Sequence, residues 1–200
     1  MMDVMEAIRT RRSIAKTQPR LPSRELIEEV LEAATWAPNH YLNQPWRFFV
    51  LGGAARERFG EVLAEDACRA LSNLSPEQRE AVAEAQRAKA VRAPVIVTVA
   101  VEPPVGPKIV DVENVCAAAC AIQNLLLAAH ARGLAIKWST GPAARSELVK
   151  RFFGLSPEHQ ILAFLYLGYP AEEPPAASRA AVHEKTTWLG WSADGQHHSS

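Results

Sequence analysis

Between Asp111 and Gly133 runs the longest periodic segment of the chain, with helix-cap residues at both ends. Its centre, Cys116 to Ile122, is built almost wholly from small residues, and Leu125, Leu126 and Leu127 extend the apolar surface. A helix of roughly 20 residues is about 30 Å long. One that is apolar nearly all round has to be covered on most sides, in a domain core or a subunit interface. It is not expected to span a membrane, because Glu113, Asn114, Gln123, Asn124 and His130 interrupt the apolar run.

What surrounds that helix follows from pattern and punctuation. Asp3 with Glu6 marks a short helix from Val4 to about Thr10, and Ser23 caps a second one carrying the stripe Leu26, Ile27, Val30, Leu31 and Ala34. Two more helices are expected, from about Ala54 to Leu71 and, behind the capping box Ser75-Pro76-Glu77-Gln78, to about Val91; the mixed surface of the latter suits an exposed cover. Trp46–Leu51, Pro94–Val101, Leu134–Ser139 and Ile161–Leu167 read as strands, and a short helix is stopped at Gly154. After Gly168 the composition turns proline-rich, which describes an arm lying over a surface, with Trp188 and Trp191 to dock it and a frayed end at Gly195–Ser200.

At 200 residues and 48% hydrophobic content, one domain over 1–200 with a proper core is expected. Lys plus Arg equals Asp plus Glu at 22 each, so no net field draws the chain to nucleic acid or an anionic membrane. Small molecules or a second copy of the chain remain as partners. Three cysteines, an odd number with no secretory signal ahead of them, point to a reducing, cytoplasmic setting. Cys116 and Cys120 lie one helical turn apart, but no histidine or third cysteine completes a metal site, and both are expected as buried small hydrophobes. His130 is expected to be structural or exposed, and the chain contains neither a Walker-type loop nor a G-x-G-x-x-G.

Three stretches carry candidate chemistry. Pro38 and Pro45 forbid a helix through Ala37–Trp46, so this is a shaped loop holding Asn39, His40, Asn43 and Gln44, groups suited either to the edge of a flat heteroaromatic ring or to satisfying their own turn. Arg9, Arg11, Arg12 and Ser13 gather at the end of the first helix, where forked guanidinium groups can hold phosphate oxygens two at a time. A solvated helix terminus and a nucleic-acid arm are the alternatives. Trp138-Ser139-Thr140-Gly141-Pro142 is a polar turn at a strand end, where ligands gather in α/β proteins.

Together, Arg11-Arg12-Ser13, the Ala-Pro-x-x-x-x-Asn-Gln-Pro-Trp pattern at Ala37–Trp46, the small-residue helix and Trp138-Ser139-Thr140-Gly141 resemble the FMN-dependent nitroreductase family, over the chain to about Gly168. The likeness is to its small single-domain bacterial NAD(P)H nitroreductases. The resemblance implies an α+β fold, a mainly antiparallel central sheet flanked by helices, in an obligate homodimer whose C-terminal arms (about 170–200) are exchanged. FMN would sit at the dimer interface. Arg11, Arg12 and Ser13 would hold its phosphate and ribityl side, and Trp138, Ser139 and Thr140 would line it from the same subunit. Trp36 and His40 would approach from the other subunit, with Asn39 and Asn43 as further candidates. Lys16 stands where many members carry another arginine, and Arg179 and Lys185 are candidates for a C-terminal phosphate contact. The implied reaction moves a hydride from NAD(P)H through flavin to a nitroaromatic, quinone or other electron-poor acceptor; no catalytic acid or base and no metal is implied. Enone reduction, dehalogenation, flavin fragmentation, non-catalytic flavin storage and a cofactor-free helical dimer are the alternatives.

Overall fold

A computed structural model describes residues 2–71, 73–174 and 176–191. The elements in chain order are α1 (Val4–Thr10), α2 (Arg24–Thr35), β1 (Trp46–Leu51), α3 (Ala54–Ala70), α4 (Pro76–Val91), β2 (Val95–Val101), α5 (Asp111–Ala131), β3 (Ala135–Ser139), α6 (Glu147–Phe152) and β4 (Gln160–Gly168). The strands form one antiparallel sheet in the order β1-β2-β4-β3.

Strand β2 is buried along its whole length because helices cover both faces of the sheet. Val95, Val97, Val99 and Val101 alternate onto one side, where they meet Ile27 and Val30 of α2 and Ile122 and Leu125 of α5. Ile96 and Ala100 point the other way, into a second cluster with Phe59 of α3, Ala90 of α4 and Val149 of α6. Burying each such side chain stabilises the fold by about 1.5 to 3 kcal/mol, which is why this central strand reads as a run of valine and isoleucine.

The buried stripe of α5 is Ala117, Ala118, Ala121, Ile122, Leu125 and Ala129. In length and composition α5 could cross a bilayer, but here this stripe seats it on the sheet. Helical spacing turns the opposite stripe, Val112, Cys116, Cys120 and Gln123, outward. Both thiols are therefore exposed in the protomer, correcting the expectation that they are buried; only Cys68 is.

The N-terminal segment extends the sheet at its β3 edge. Ser13 bridges Ile136 in parallel and Thr17 bridges Pro170. It passes close to β4 at Gly168, where a Cβ atom would lie 2.8 Å from the Pro94 ring and 2.9 Å from the Thr17 Cβ. Past β4 the chain makes an arm in which every described residue from 171 to 191 is exposed, including Leu189 at 83%. Trp188 and Trp191 pack against each other within it, their rings tilted at 59° with centroids 5.5 Å apart. Pro175 and the Gly195–Ser200 end lie outside the described residues.

Candidate functional site

The side chain of Asp3 caps the start of α1, accepting from the amides of Met5 at 2.8 Å and Glu6 at 3.1 Å, and the helix ends at Thr10, where Arg11 and Arg12 leave it. Arg12 Nη1 donates to the carbonyls of Arg9 at 2.7 Å and Arg11 at 2.8 Å, closing the C-terminus, while its Nε is buried without a partner. Arg11 is half-buried and its guanidinium is held below its ordinary pKa, first by burial and then by Arg12 and Arg179. Arg179 comes from the arm, so a third guanidinium charge acts on Arg11 from more than 160 residues away in sequence.

His130, at the end of α5, shares a 2.7 Å hydrogen bond between its Nε2 and the Thr10 hydroxyl. Burial, then Arg11 and Arg12, push its imidazole below the usual range, with Glu6 pulling weakly the other way. Among the described residues Arg11, Arg12 and Arg179 make no ion pair. Guanidinium groups that lack a carboxylate partner have the chemistry to hold an anion. Lys16, by contrast, is paired with Glu172 at 3.3 Å. Lys185 lies in the Val182–Lys185 turn of the arm.

The Ser13–Ile136 bridge puts this cluster on the strand that carries the second candidate group. Trp138 is two residues further along β3 and donates from Nε1 to the Leu162 carbonyl at 3.3 Å; Ser139 ends the strand and Thr140 borders a cleft beyond it. On the opposite face of β3, Lys137 joins Lys89 and Arg92, the latter centred 3.7 Å above the Tyr166 ring with Nε and Nη2 buried and unpartnered. Lys89 is held below its ordinary pKa by burial and then by those two cations. The end of α4 thus delivers cations to the sheet, where sequence suggested only an exposed cover.

The third candidate stretch is strained. Tyr41, Leu42 and Gln44 have φ of 50, 54 and 46°, in the left-handed region that costs side-chain-bearing residues. Asn39 fixes the bend, accepting from the Gln44 amide at 2.9 Å and donating to the Ala37 carbonyl at 3.0 Å. Asn43 donates to Asn114 Oδ1 at 2.6 Å, and Asn114, nearly fully buried on α5, donates to the Glu102 carbonyl at 3.2 Å. These two amides shape the loop. His40 Nδ1 pairs with Glu113 near the start of α5 and stacks on Tyr41, centroids 4.3 Å apart. Trp36 closes α2 and stands 80% exposed.

Sequence reasoning missed Glu113 beneath His40 and His130 beside Arg11; both contacts join residues more than 70 apart in sequence. They also fix the spacing of the two halves. Glu113 and His130 stand near opposite ends of α5, about 25 Å apart by helical rise. Within one chain, therefore, the His40 loop and the Arg11 cluster occupy opposite ends of the same helix.

A sequence model of the nitroreductase family matches residues 8–169. The chain belongs to that family. Among similar proteins, Escherichia coli "Putative NAD(P)H nitroreductase YdjA" is 36% identical over 169 residues, covering 84% of this chain and 89% of the relative. A Bacillus subtilis counterpart, YfhC, is 28% identical over 91% of this chain and 92% of its own length. Among solved structures, a nitroreductase-like protein from Bacillus cereus superposes with a TM-score of 0.83 at 24% identity, over 94% of this chain and 97% of that one. A Desulfovibrio desulfuricans protein solved in complex with FMN has a TM-score of 0.71 at 27% identity, over 94% and 98%. The nitroreductase-like α+β fold expected from sequence is the fold observed.

Proposed function

We propose that this nitroreductase-family chain is an FMN-dependent oxidoreductase that takes hydride from NAD(P)H and passes it to a nitroaromatic, quinone or similar acceptor. The observation that carries it is the grouping of Arg11, Arg12 and Arg179, none of them ion-paired among the described residues, at the segment that bridges β3. A phosphate monoester fits that group: it offers a dianion to guanidinium groups that lack a counterion, and an acceptor oxygen to the buried, unpartnered Arg12 Nε. The FMN-bound relative supports the same cofactor. When bound, FMN supplies the ring that accepts and releases hydride.

The chain's own residues bind, orient and screen. Arg11 and Arg179 hold the phosphate, Ser13 adds a hydroxyl, and Trp138, Ser139 and Thr140 line the ring along β3. No acid or base is assigned a proton transfer. Trp36 and the His40–Glu113 pair complete the site from a second copy of the chain, with Asn39 and Asn43 holding their loop in place. A two-fold axis crossing α5 brings antiparallel copies of that helix together, setting the Glu113 end of one against the His130 end of the other. The exposed Cys116–Cys120 stripe and the arm's exposed Val182, Trp188 and Leu189 then become covered surface. The setting we propose is cytoplasmic.

The test is the visible spectrum of purified protein before and after anaerobic addition of NADPH. Flavin bands that bleach support the reductive half-reaction. Bands that persist with NADPH and with NADH point to flavin storage, and protein that stays colourless after incubation with FMN overturns the cofactor.

A further inference from the structure

Beyond Thr140 the end of β3 opens into a cleft of about 510 Å³, between the turn Pro142–Arg145, Lys150 of α6 and the first residues of β4. That is within the usual range for a small-molecule site. Its inner rim is Gly141, with φ of 114° and nothing within 4 Å of the place a Cβ would occupy, so a flat group can lie across the backbone there. Arg145, Lys150 and His159 line it.

Their engagements differ. Lys150 Nζ donates to Glu147 Oε1 at 3.2 Å and to the Pro157 carbonyl at 2.6 Å, so its charge is already committed. The Gln160 amide donates to both carboxylate oxygens of Asp111 at 2.9 Å, which commits that amide. His159 shares its Nδ1 with the Ser156 hydroxyl at 2.8 Å, and its Nε2 has no hydrogen-bond partner among the described residues. Arg145 is exposed and has no side-chain hydrogen bond or ion pair among the described residues. The uncommitted groups of the cleft are therefore a guanidinium fork and one imidazole nitrogen, a pair suited to a planar or tetrahedral oxyanion.

We propose that this cleft is an oxyanion subsite, in which Arg145 and His159 hold the phosphate or carboxylate of a substrate whose reactive end lies at the Thr140–Gly141 turn. The identity of that substrate rests on the flavin function proposed above; the subsite itself does not. Two sources share the chemistry: the 2′-phosphate of NADPH, and the carboxylate of an acidic nitroaromatic acceptor.

A binding titration needs no turnover. Inorganic phosphate and 4-nitrobenzoate are added to the purified full-length protein while the His159 ring resonances, assigned by their loss in His159→Gln, are followed by NMR. A saturable shift is expected. Arg145→Ala weakens it about tenfold, the scale of one charge-assisted contact, and Arg145→Lys restores part of it. No shift at His159 in the wild-type protein overturns the subsite. Flavin content is read separately from the visible spectrum, so a His159 response in protein that binds no FMN sinks the cofactor and leaves the subsite standing. In protein that turns over, Arg145→Ala lowers the kcat/KM ratio of NADPH to NADH if the donor phosphate is the occupant, and that of 4-nitrobenzoate to nitrobenzene if the acceptor is. Neither ratio moving overturns the assignment to a substrate.

Discussion

Arg11 and Arg12 are neighbours in sequence with divided tasks. Arg12 spends Nη1 on two carbonyls at the end of α1, whereas Arg11 makes no ion pair among the described residues. Arg12→Ala should therefore destabilise the fold by about 1 to 2 kcal/mol, about 3 to 6 °C in Tm for a chain of this size. Arg11→Ala should leave the melt nearly in place and lose FMN during gel filtration; a fully yellow Arg11→Ala protein would argue against the phosphate site. His130 reports on the same cluster. Burial and the two arginines depress its pKa, so the unfolded chain takes up this proton at higher pH than the folded one. Stability accordingly rises with pH between the depressed value and the ordinary imidazole value, and levels off above it. A phosphate dianion among the guanidinium groups offsets their repulsion, so FMN saturation should move the His130 titration midpoint upward in NMR. The arginines were legible because three basic residues at a helix end are a local pattern; the His130 and Arg179 contacts depend on how distant segments meet, which no local spacing encodes.

At the scale of elements, the chain declares most of its boundaries. The capping box at Ser75 forms as its residues suggest, with the Gln78 amide donating to the Ser75 hydroxyl at 3.2 Å and the Ser75 amide to Gln78 Oε1 at 2.9 Å. The valine run of β2 is buried on both faces as its composition requires. What the pattern did not give was direction. Small residues all round α5 conceal which stripe meets the sheet, so Cys116 and Cys120 fell on the outer face. Asn39 and Asn43 likewise have the chemistry of recognition groups, and only the fold reveals that both amides are engaged in shaping their loop. Gly168 is the element-level point of least tolerance, because the N-terminal segment, β4 and Pro94 meet there with no room for a methyl group. Gly168→Ala should cost about 1 to 3 kcal/mol through overpacking, seen as a lower denaturant midpoint at unchanged slope.

For the whole molecule, the separation along α5 is what supports the proposed assembly. The His40 loop and the Arg11 cluster are anchored about 25 Å apart on one helix. If both serve one cofactor, they must come from different copies, and dimerisation and FMN retention become a single equilibrium. The surface available for it is the outer stripe of α5 together with an arm whose Leu189, Trp188 and Val182 find little cover in their own protomer. Replacing Cys120 on that stripe with glutamate, a change that leaves the sheet-facing stripe of α5 intact, should bring like charges together across the axis. Sedimentation equilibrium and the flavin absorbance at matched concentrations should then fall in step, FMN leaving as the dimer dissociates. A Cys120→Glu protein that sediments as a monomer yet keeps stoichiometric FMN would mean that one protomer holds the cofactor alone, and the loop around His40 would need another role.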